Sequence, residues 1–501
     1  MNVLILGYGL EGKSVENFFK SDSMLFEHTK IDVLSDFKKE ELLFKDFSSY
    51  DLIFRSPSLP PKFINAPAEK ITSATKYFFH ACPCPIIGVT GTKGKGTTCT
   101  MIKNILDELP PASCPLQLST SGEVGSFAED PELRRGRARD TRDGGMSRRA
   151  SAQRQRPQRA HLVGNIGNPA LDILPDLTET DLVVYELSSF QLWDLDLSPS
   201  VSVVLRIEPD HLDVHDSFDE YLSSKQNIVN FQSPSDFCVY FKDNENTARL
   251  VSSALSKKLP YPLTPTSENP ESSVSRPPLL DDLLSELSVP GAHNKENAEA
   301  ALLACFALFK KSDPSLRFAD FLEAHAPEVR SALKNFQPLP HHLEFVRELN
   351  DVRYYDDSFS TVSPALEAAL NSFPDAPFVL IAGGKDKGFD LSPVKRLIFD
   401  HPHLIKAVLI GETAEKLKSG EDPEKFFDAG TDFELAVSTA RALAEKKLTE
   451  EEMNSDTCLI DAKKPVLSPV VLLSPCASSF DMFNSYKERG DIFKQIVNSF
   501  N

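Results

Sequence analysis

Apolar residues in this chain fall into short unbroken runs, each closed by a glycine-rich or polar turn and followed by helical spacing. Residues 3–6 (VLIL) form the first run, and a helix follows in which Val15, Phe18 and Phe19 share a face. DLIFRSPSLP then carries an apolar stretch into a proline-rich turn. A second block opens with PIIGVTG and the helical TTCTMIKNILDEL, continues through DLVVYELSS and VSVVLRI, and closes with the helical KENAEAALLACFALFKK. The third, from residue 337, shows VRYYDDS, FVLIAGG, AVLIGE and PVVLLSP. Strands apolar on both faces, alternating with helices, predict parallel sheets built from βαβ units. Three blocks also suit the length, since 501 residues exceed what a single core holds.

One stretch breaks the pattern. Between residues 110 and 160 the chain turns to Ser, Pro, Gly and Arg, with ten arginines from Arg134 to Arg159, while no lysine occurs between Lys103 and Lys225. Such a stretch carries too little apolar surface to order itself. It reads as an atypical Arg-rich insertion or as a segment translated out of frame; a basic arm for an anionic partner is the third reading.

Composition narrows the class. With 41% hydrophobic and 25% charged residues the chain is globular, and no apolar run approaches the roughly 20 residues that span a bilayer. The opening MNVLILGYGLEGK lacks the basic region and cleavage site of a signal peptide, so a cytoplasmic protein with no membrane partner is expected. A net charge of −19 argues against nucleic acid, but leaves room for small anions held by backbone amides and a few lysines. The eight cysteines are scattered, Cys82-Pro-Cys84 being the only close pair, and they read as reduced thiols.

Several motifs carry chemistry. Gly7-Tyr-Gly9-Leu-Glu-Gly12 is a GxGxxG turn after the first strand, and Glu27 stands where a dinucleotide fold places its ribose-binding acid. Taken alone, this turn fits NAD, FAD or another nucleotide-like ligand. GVTGTKGKGTT (88–98) is a buried strand, a Gly/Thr-rich turn and a helix start, the geometry that cradles phosphate with backbone N–H groups. Lys95 would neutralise phosphate charge. The usual loop places Ser or Thr after that lysine for Mg²⁺; here Gly96 stands there, so Thr97 and Thr98 are the nearest hydroxyls. Glu186 ends the apolar run of YELSSFQL, where a carboxylate suits a hard cation. Asp210, His211 and Asp213 follow VSVVLRI, and Lys225 sits in the helical YLSSKQNIVN; by default these are a surface cap and a solvated lysine. The expected fold is α/β in three domains: an N-terminal Rossmann-like domain (1–84), a central P-loop ATPase-like parallel sheet (85–336) and a C-terminal Rossmann-like domain (337–501).

Together these motifs resemble the Mur ligase family, and within it the members that add D-glutamate. The resemblance covers nearly the whole chain outside 110–160 and 255–285. GYGLEG is similar to the turn that binds a uridine nucleotide in the family, TGTKGK to its ATP loop, and GNIGNP (164–169) to its substrate-contacting turn. ELSSFQL and DHLD resemble the metal-site motifs, and GAHNKENA (291–298) the adenine contact. PHHLE, DDS, GGKDKGFD and SPCASSFDMF…YKERG resemble the C-terminal ATP and D-glutamate motifs.

The resemblance implies ATP bound along the loop by Gly91, Thr92, Lys93, Gly94, Lys95, Gly96, Thr97 and Thr98. Asn294 and Asn297 would meet the adenine end, with His342 and Asp357 as further ATP contacts. Two Mg²⁺ ions would be held by Thr97, Glu186, His211 and Lys225, the lysine carbamylated so that it brings a carboxylate. Lys95, His211 and Lys225 would be catalytic. Gly9, Leu10, Glu11, Glu27, Ser56, Asn165, Ser188 and Gln191 would contact UDP-N-acetylmuramoyl-L-alanine. Thr361, Lys387, Ser479, Phe480 and Tyr486 would hold D-glutamate. The implied enzyme is a monomeric ATP-dependent amide ligase of peptidoglycan precursor synthesis, working through an acyl phosphate.

Four residues depart from the family pattern. Gly96 replaces the hydroxyl residue, His342 stands where arginine is common, Phe359 where lysine is common, and Arg206 where asparagine is common. The set Glu186, His211 and Lys225 is intact. A sister ligase using another amino acid, folylpolyglutamate-type enzymes included, and a catalytically impaired nucleotide-binding homologue are the competing readings.

Overall fold

The computed structural model describes residues 1–21, 28–110, 159–264, 276–388, 390–455 and 467–501, with backbone alone over 450–455. Glu27 and the arginine-rich stretch lie outside the described residues.

Three sheets follow one another along the chain. The first joins β1 (Asn2–Leu6), β2 (Lys30–Leu34), β3 (Leu52–Arg55) and β4 (Ile71–Thr72) in the order β2-β1-β3-β4, every pairing parallel. Helices α1 (Leu10–Ser21) and α2 (Ala74–Ala81) belong to it; Ser73 caps α2 by accepting from Lys76 N. The second sheet is also parallel throughout. It contains β5 (Ile86–Thr90), β6 (Ala160–Gly164), β7 (Leu182–Glu186), β8 (Val201–Val204), β9 (Phe237–Phe241) and β10 (Lys257–Tyr261), in the order β10-β9-β8-β5-β7-β6. Every residue of β5, β7 and β8 is buried, which is why these strands read as unbroken apolar runs. Helix α3 (Lys95–Glu108) leaves β5 through the glycine-rich loop, and α4 (Phe218–Asn230) and α5 (Ala292–Ser312) follow.

These two sheets share one core. Val3, Val15, Phe19 and Phe78 from the first pack in the same apolar cluster as Val163, Leu171, Val183 and Tyr185 from the second. Polar ties reinforce it: Tyr185 donates its hydroxyl to Thr75 Oγ1 (3.0 Å), and buried Arg55 donates from Nε to Asp194 Oδ2 (2.8 Å) and from Nη2 to Phe190 O (3.0 Å). Residues 1–286 with 296–334 accordingly form one compact unit, and residues 287–295 with 335–501 a second.

The second unit holds the third sheet, of β11 (Glu344–Leu349), β12 (Val352–Asp356), β13 (Phe378–Gly383), β14 (Leu404–Ile410), β15 (Phe426–Gly430) and β16 (Val470–Leu473). Their order is β11-β12-β16-β13-β14-β15; only β11 and β12 pair antiparallel, through a tight turn in which Asn350 and Asp351 both take left-handed φ. Apolar clusters cover both faces, and α6 (Tyr486–Ser499) contributes Phe493 and Val497 to one of them. Among the described residues no helix is long and apolar enough to cross a membrane.

Candidate functional site

The loop between β5 and α3 has a conformation that few residues permit. Gly91 has φ +152° and Gly94 has φ +82°; a Cβ on the first would meet Leu205 Cβ at 2.7 Å, and on the second Asn297 Oδ1 at 2.6 Å. Thr92 pins the loop by accepting from Glu208 N (2.9 Å) and donating to Glu208 O (3.0 Å), with the Tyr221 hydroxyl at 3.1 Å. Gly94 offers no side-chain cap to α3, so the first-turn N–H groups are left for a ligand. Lys93 is exposed; Gly96 and Thr97 are half-buried at the helix start. Thr98 is fully buried and its Oγ1 has no partner.

Two lysines converge on this loop. Lys95 Nζ donates to Gly91 O (3.1 Å) and Thr92 O (2.9 Å). Lys225, buried on α4, donates to the same Gly91 carbonyl (3.0 Å) and to Thr90 Oγ1 (3.2 Å). Burial pulls the Lys225 amine well below the usual lysine range, and the positive charge of Lys95 adds to the effect. Glu186 stands opposite Val89 in register at the end of β7; its Oε2 is buried without a partner. Burial raises its carboxyl, with Lys95 and Lys225 opposing. An unsatisfied carboxylate oxygen and two lysine amines at the C-terminal ends of parallel strands fit a metal-nucleotide site, the carboxylate suiting Mg²⁺ and the lysines phosphate. Asn165 follows Gly164, which pairs with Glu186 and is pressed against its carbonyl.

His211 makes none of these hydrogen bonds. It is exposed, has φ +54°, lies 4.9 Å from the Phe190 ring and pairs with Asp210 at 3.5 Å; no hydrogen bond joins it to Glu186 or Lys225. Asp210, in contrast, acts electrostatically on both Lys95 and Lys225.

At the first glycine turn, Glu11 Oε1 accepts from Gln191 Nε2 (2.8 Å), while Oε2 is buried and unpartnered. Ser188 and Gln191 form a reciprocal cap on helix Ser189–Leu192, which holds the glutamine amide toward Glu11. Gly7, Glu11 and Ser56 line one small cleft, and Leu10 is exposed. Gly9 has no neighbour within 4 Å of a would-be Cβ.

In the second unit Asp357 is buried, accepting from Leu343 N (3.1 Å) and Ser474 Oγ (2.8 Å); burial pushes its carboxyl up to about 7. Two of the departing residues meet here: the rings of His342 and Phe359 stack with centroids 4.0 Å apart, and Tyr486 meets Phe359 edge-on at 5.2 Å. Thr361 is half-buried, Ser479 buried, and Lys387 and Phe480 exposed. Asn294 donates to Pro290 O (2.6 Å). The fourth departure, Arg206, in the first unit, lies over the Phe241 ring at 4.5 Å.

The sequence signature of the Mur ligase middle domain matches residues 89–305. The UDP-N-acetylmuramoylalanine–D-glutamate ligase of Clostridium kluyveri is 32% identical over 469 residues, spanning 91% of this chain and 85% of that protein. The chain belongs to the Mur ligase family. The enzyme of the same name from Acetivibrio thermocellus is 29% identical, with 99% of this chain and 96% of that one covered. Among solved structures, MurF from Acinetobacter baumannii shares the fold with a TM-score of 0.50 at 15% identity, over 84% of this chain and 79% of that chain.

This Mur ligase also carries site features that the motifs did not single out. Thr90 and Tyr221 fix the loop and Lys225, and His215 lies buried between Phe190 and Trp193 with Nε2 on Ser189 Oγ at 3.0 Å. A second histidine one helical turn after His211 was the available signal.

Proposed function

We propose that this protein is an ATP-dependent ligase that forms the amide bond between UDP-N-acetylmuramoyl-L-alanine and D-glutamate, as a cytoplasmic monomer in peptidoglycan precursor synthesis. The convergence of Lys95, Lys225 and unpartnered Glu186 on the glycine loop carries this reading, within a chain related along 91% of its length to a ligase of that name.

Lys95 would turn from the loop carbonyls to the β/γ-phosphates. The substrate's alanyl carboxylate oxygen attacks the γ-phosphorus; the new O–P bond forms as ADP leaves. The D-glutamate amine then attacks the carbonyl carbon of the acyl phosphate, loses a proton, and phosphate departs as the C–O bond breaks. Mg²⁺ bound by Glu186, Thr97, His211 and carbamylated Lys225 would supply neutralising charge for phosphoryl transfer. Burial supports that lysine's role, because carbon dioxide adds only to a neutral amine: the N–C bond forms and a proton leaves. Glu11, Ser56, Asn165 and Gln191 would orient the uridine substrate, and Asn297 beside Gly94 the nucleotide. Thr361, Lys387, Ser479, Phe480 and Tyr486 would receive D-glutamate.

Phosphate release from ATP, measured with UDP-N-acetylmuramoyl-L-alanine and each candidate amino acid, tests the proposal. Release that depends on D-glutamate is expected; release with L-alanine but not D-glutamate would sink it.

A further inference from the structure

The sequence motif YKERG contributes Tyr486 to the expected acceptor pocket, and its arginine has no part in that reading. Arg489 is fully buried on the first turns of α6. Its Nε donates to Ser358 Oγ (2.9 Å) and its Nη2 to the carbonyls of Ser358 (2.8 Å) and Ala477 (3.1 Å). Ser358 passes the link back to α6 by donating to Tyr486 O (2.8 Å). Nη1 is buried with no partner, and a methyl at Gly384 would come within 3.3 Å of it while striking the Ser478 carbonyl. Burial lowers the guanidinium to about 10, so it keeps its charge at neutral pH.

A buried cation with one nitrogen unsatisfied is a costly way to fill space, and an apolar side chain of that size would pack as well. What the guanidinium adds is a rigid fork that fixes several backbone segments at once. The segments it touches are those that bear the acceptor residues: Ser358 precedes Thr361, Ala477 precedes Ser479 and Phe480, Gly384 precedes Lys387, and Tyr486 shares its helix. We propose that Arg489 is a positioning residue for the amino-acid acceptor, setting the relative placement of these turns, an inference that rests on the ligase reading above.

The test is steady-state kinetics of Arg489→Ala. KM for D-glutamate should rise about tenfold or more while KM for UDP-N-acetylmuramoyl-L-alanine stays within about twofold, because small misplacements of substrate-holding groups are amplified in this way. Millimolar methylguanidinium should restore much of the loss. Equal changes in both KM values, or a lowered melting temperature with no change in either, would overturn the proposal. Where Arg489→Ala does not fold, Ser358→Ala removes the Oγ bonds to Arg489 Nε and Tyr486 O while leaving both Nη2 bonds, and an unchanged D-glutamate KM there is equally fatal. Wild-type protein that uses a different amino acid refutes the choice of D-glutamate but not the positioning role, which is then read on the KM of that acceptor; protein inert with every amino acid refutes both.

Discussion

The first unit contains two glycine-rich turns built on one plan, Gly7–Gly12 and Gly91–Gly96, each leading from the first strand of a parallel sheet into a helix. Their backbones offer the same resource, helix N–H groups at the end of a strand. Their side chains use it oppositely. The first turn has a buried carboxyl, Glu11, held by Gln191, and Gly12 pressed on the Gly7 carbonyl. The second gathers two lysine amines on a single carbonyl. A glycine pattern therefore locates a ligand, and the charges around it decide which ligand.

The comparison breaks most sharply at the lysines. Lys95→Ala should lower kcat/KM for ATP by at least about 100-fold, as loss of a charge clamp on a transferring phosphoryl group does, while Glu11→Gln leaves that parameter unchanged. Lys225→Ala should lose a similar factor and regain activity with short carboxylic acids; wild-type activity in that variant would contradict the carbamate role. Next come the glycines. Gly12→Ala drives a Cβ into backbone and should cost at least about 2 kcal/mol in urea unfolding, Gly94→Ala about 1–2 kcal/mol plus weaker ATP binding, and Gly9→Ala almost nothing.

A pH series sharpens the contrast further. Burial raises the Glu11 carboxyl, so the folded state holds its proton more tightly than the unfolded chain. Stability from this group is present below the ordinary carboxyl pKa of 4.5 and is lost as pH rises through the raised value. Glu11→Gln should flatten that fall in unfolding midpoint measured across pH. The smallest effect concerns the loop hydroxyls. Thr97→Val should lose more activity than Thr98→Val, and Thr98→Val should keep or raise stability by up to about 1 kcal/mol, since its hydroxyl is buried without a partner.

The strands that were legible in the sequence, such as β5, β7, β8, β13 and β16, are buried along their whole length, so polar residues are few in their runs; β9 (FCVYF), almost as buried, was still missed. The edge strands β10 and β15 escaped notice. KKLPY carries two exposed lysines and a proline, the usual marks of an edge, and FFDAG is half-exposed. β11 hid for a similar reason, although its Asn-Asp turn was a usable signal. At the site, the loop motif pointed to Lys95 and the strand end to Glu186, whereas Lys225 read as a solvated lysine and entered only through the family resemblance; it is in fact buried. Motif spacing did not find Asp210 as a charge partner of both lysines, nor the stacking of His342 on Phe359, because those depend on which distant segments meet. Two departures that look independent in sequence are one packed pair in space.

The core shared by the first two sheets has a consequence for how the chain is made. Arg55 and Phe78 leave the ribosome well before the segments that cover them; the partner of Arg55 comes 139 residues later. At about 5–20 residues per second, the first sheet waits roughly 7–28 s with its apolar face uncovered. During synthesis that face stays exposed until the second sheet emerges, and slower translation through residues 85–195 would lengthen its exposure.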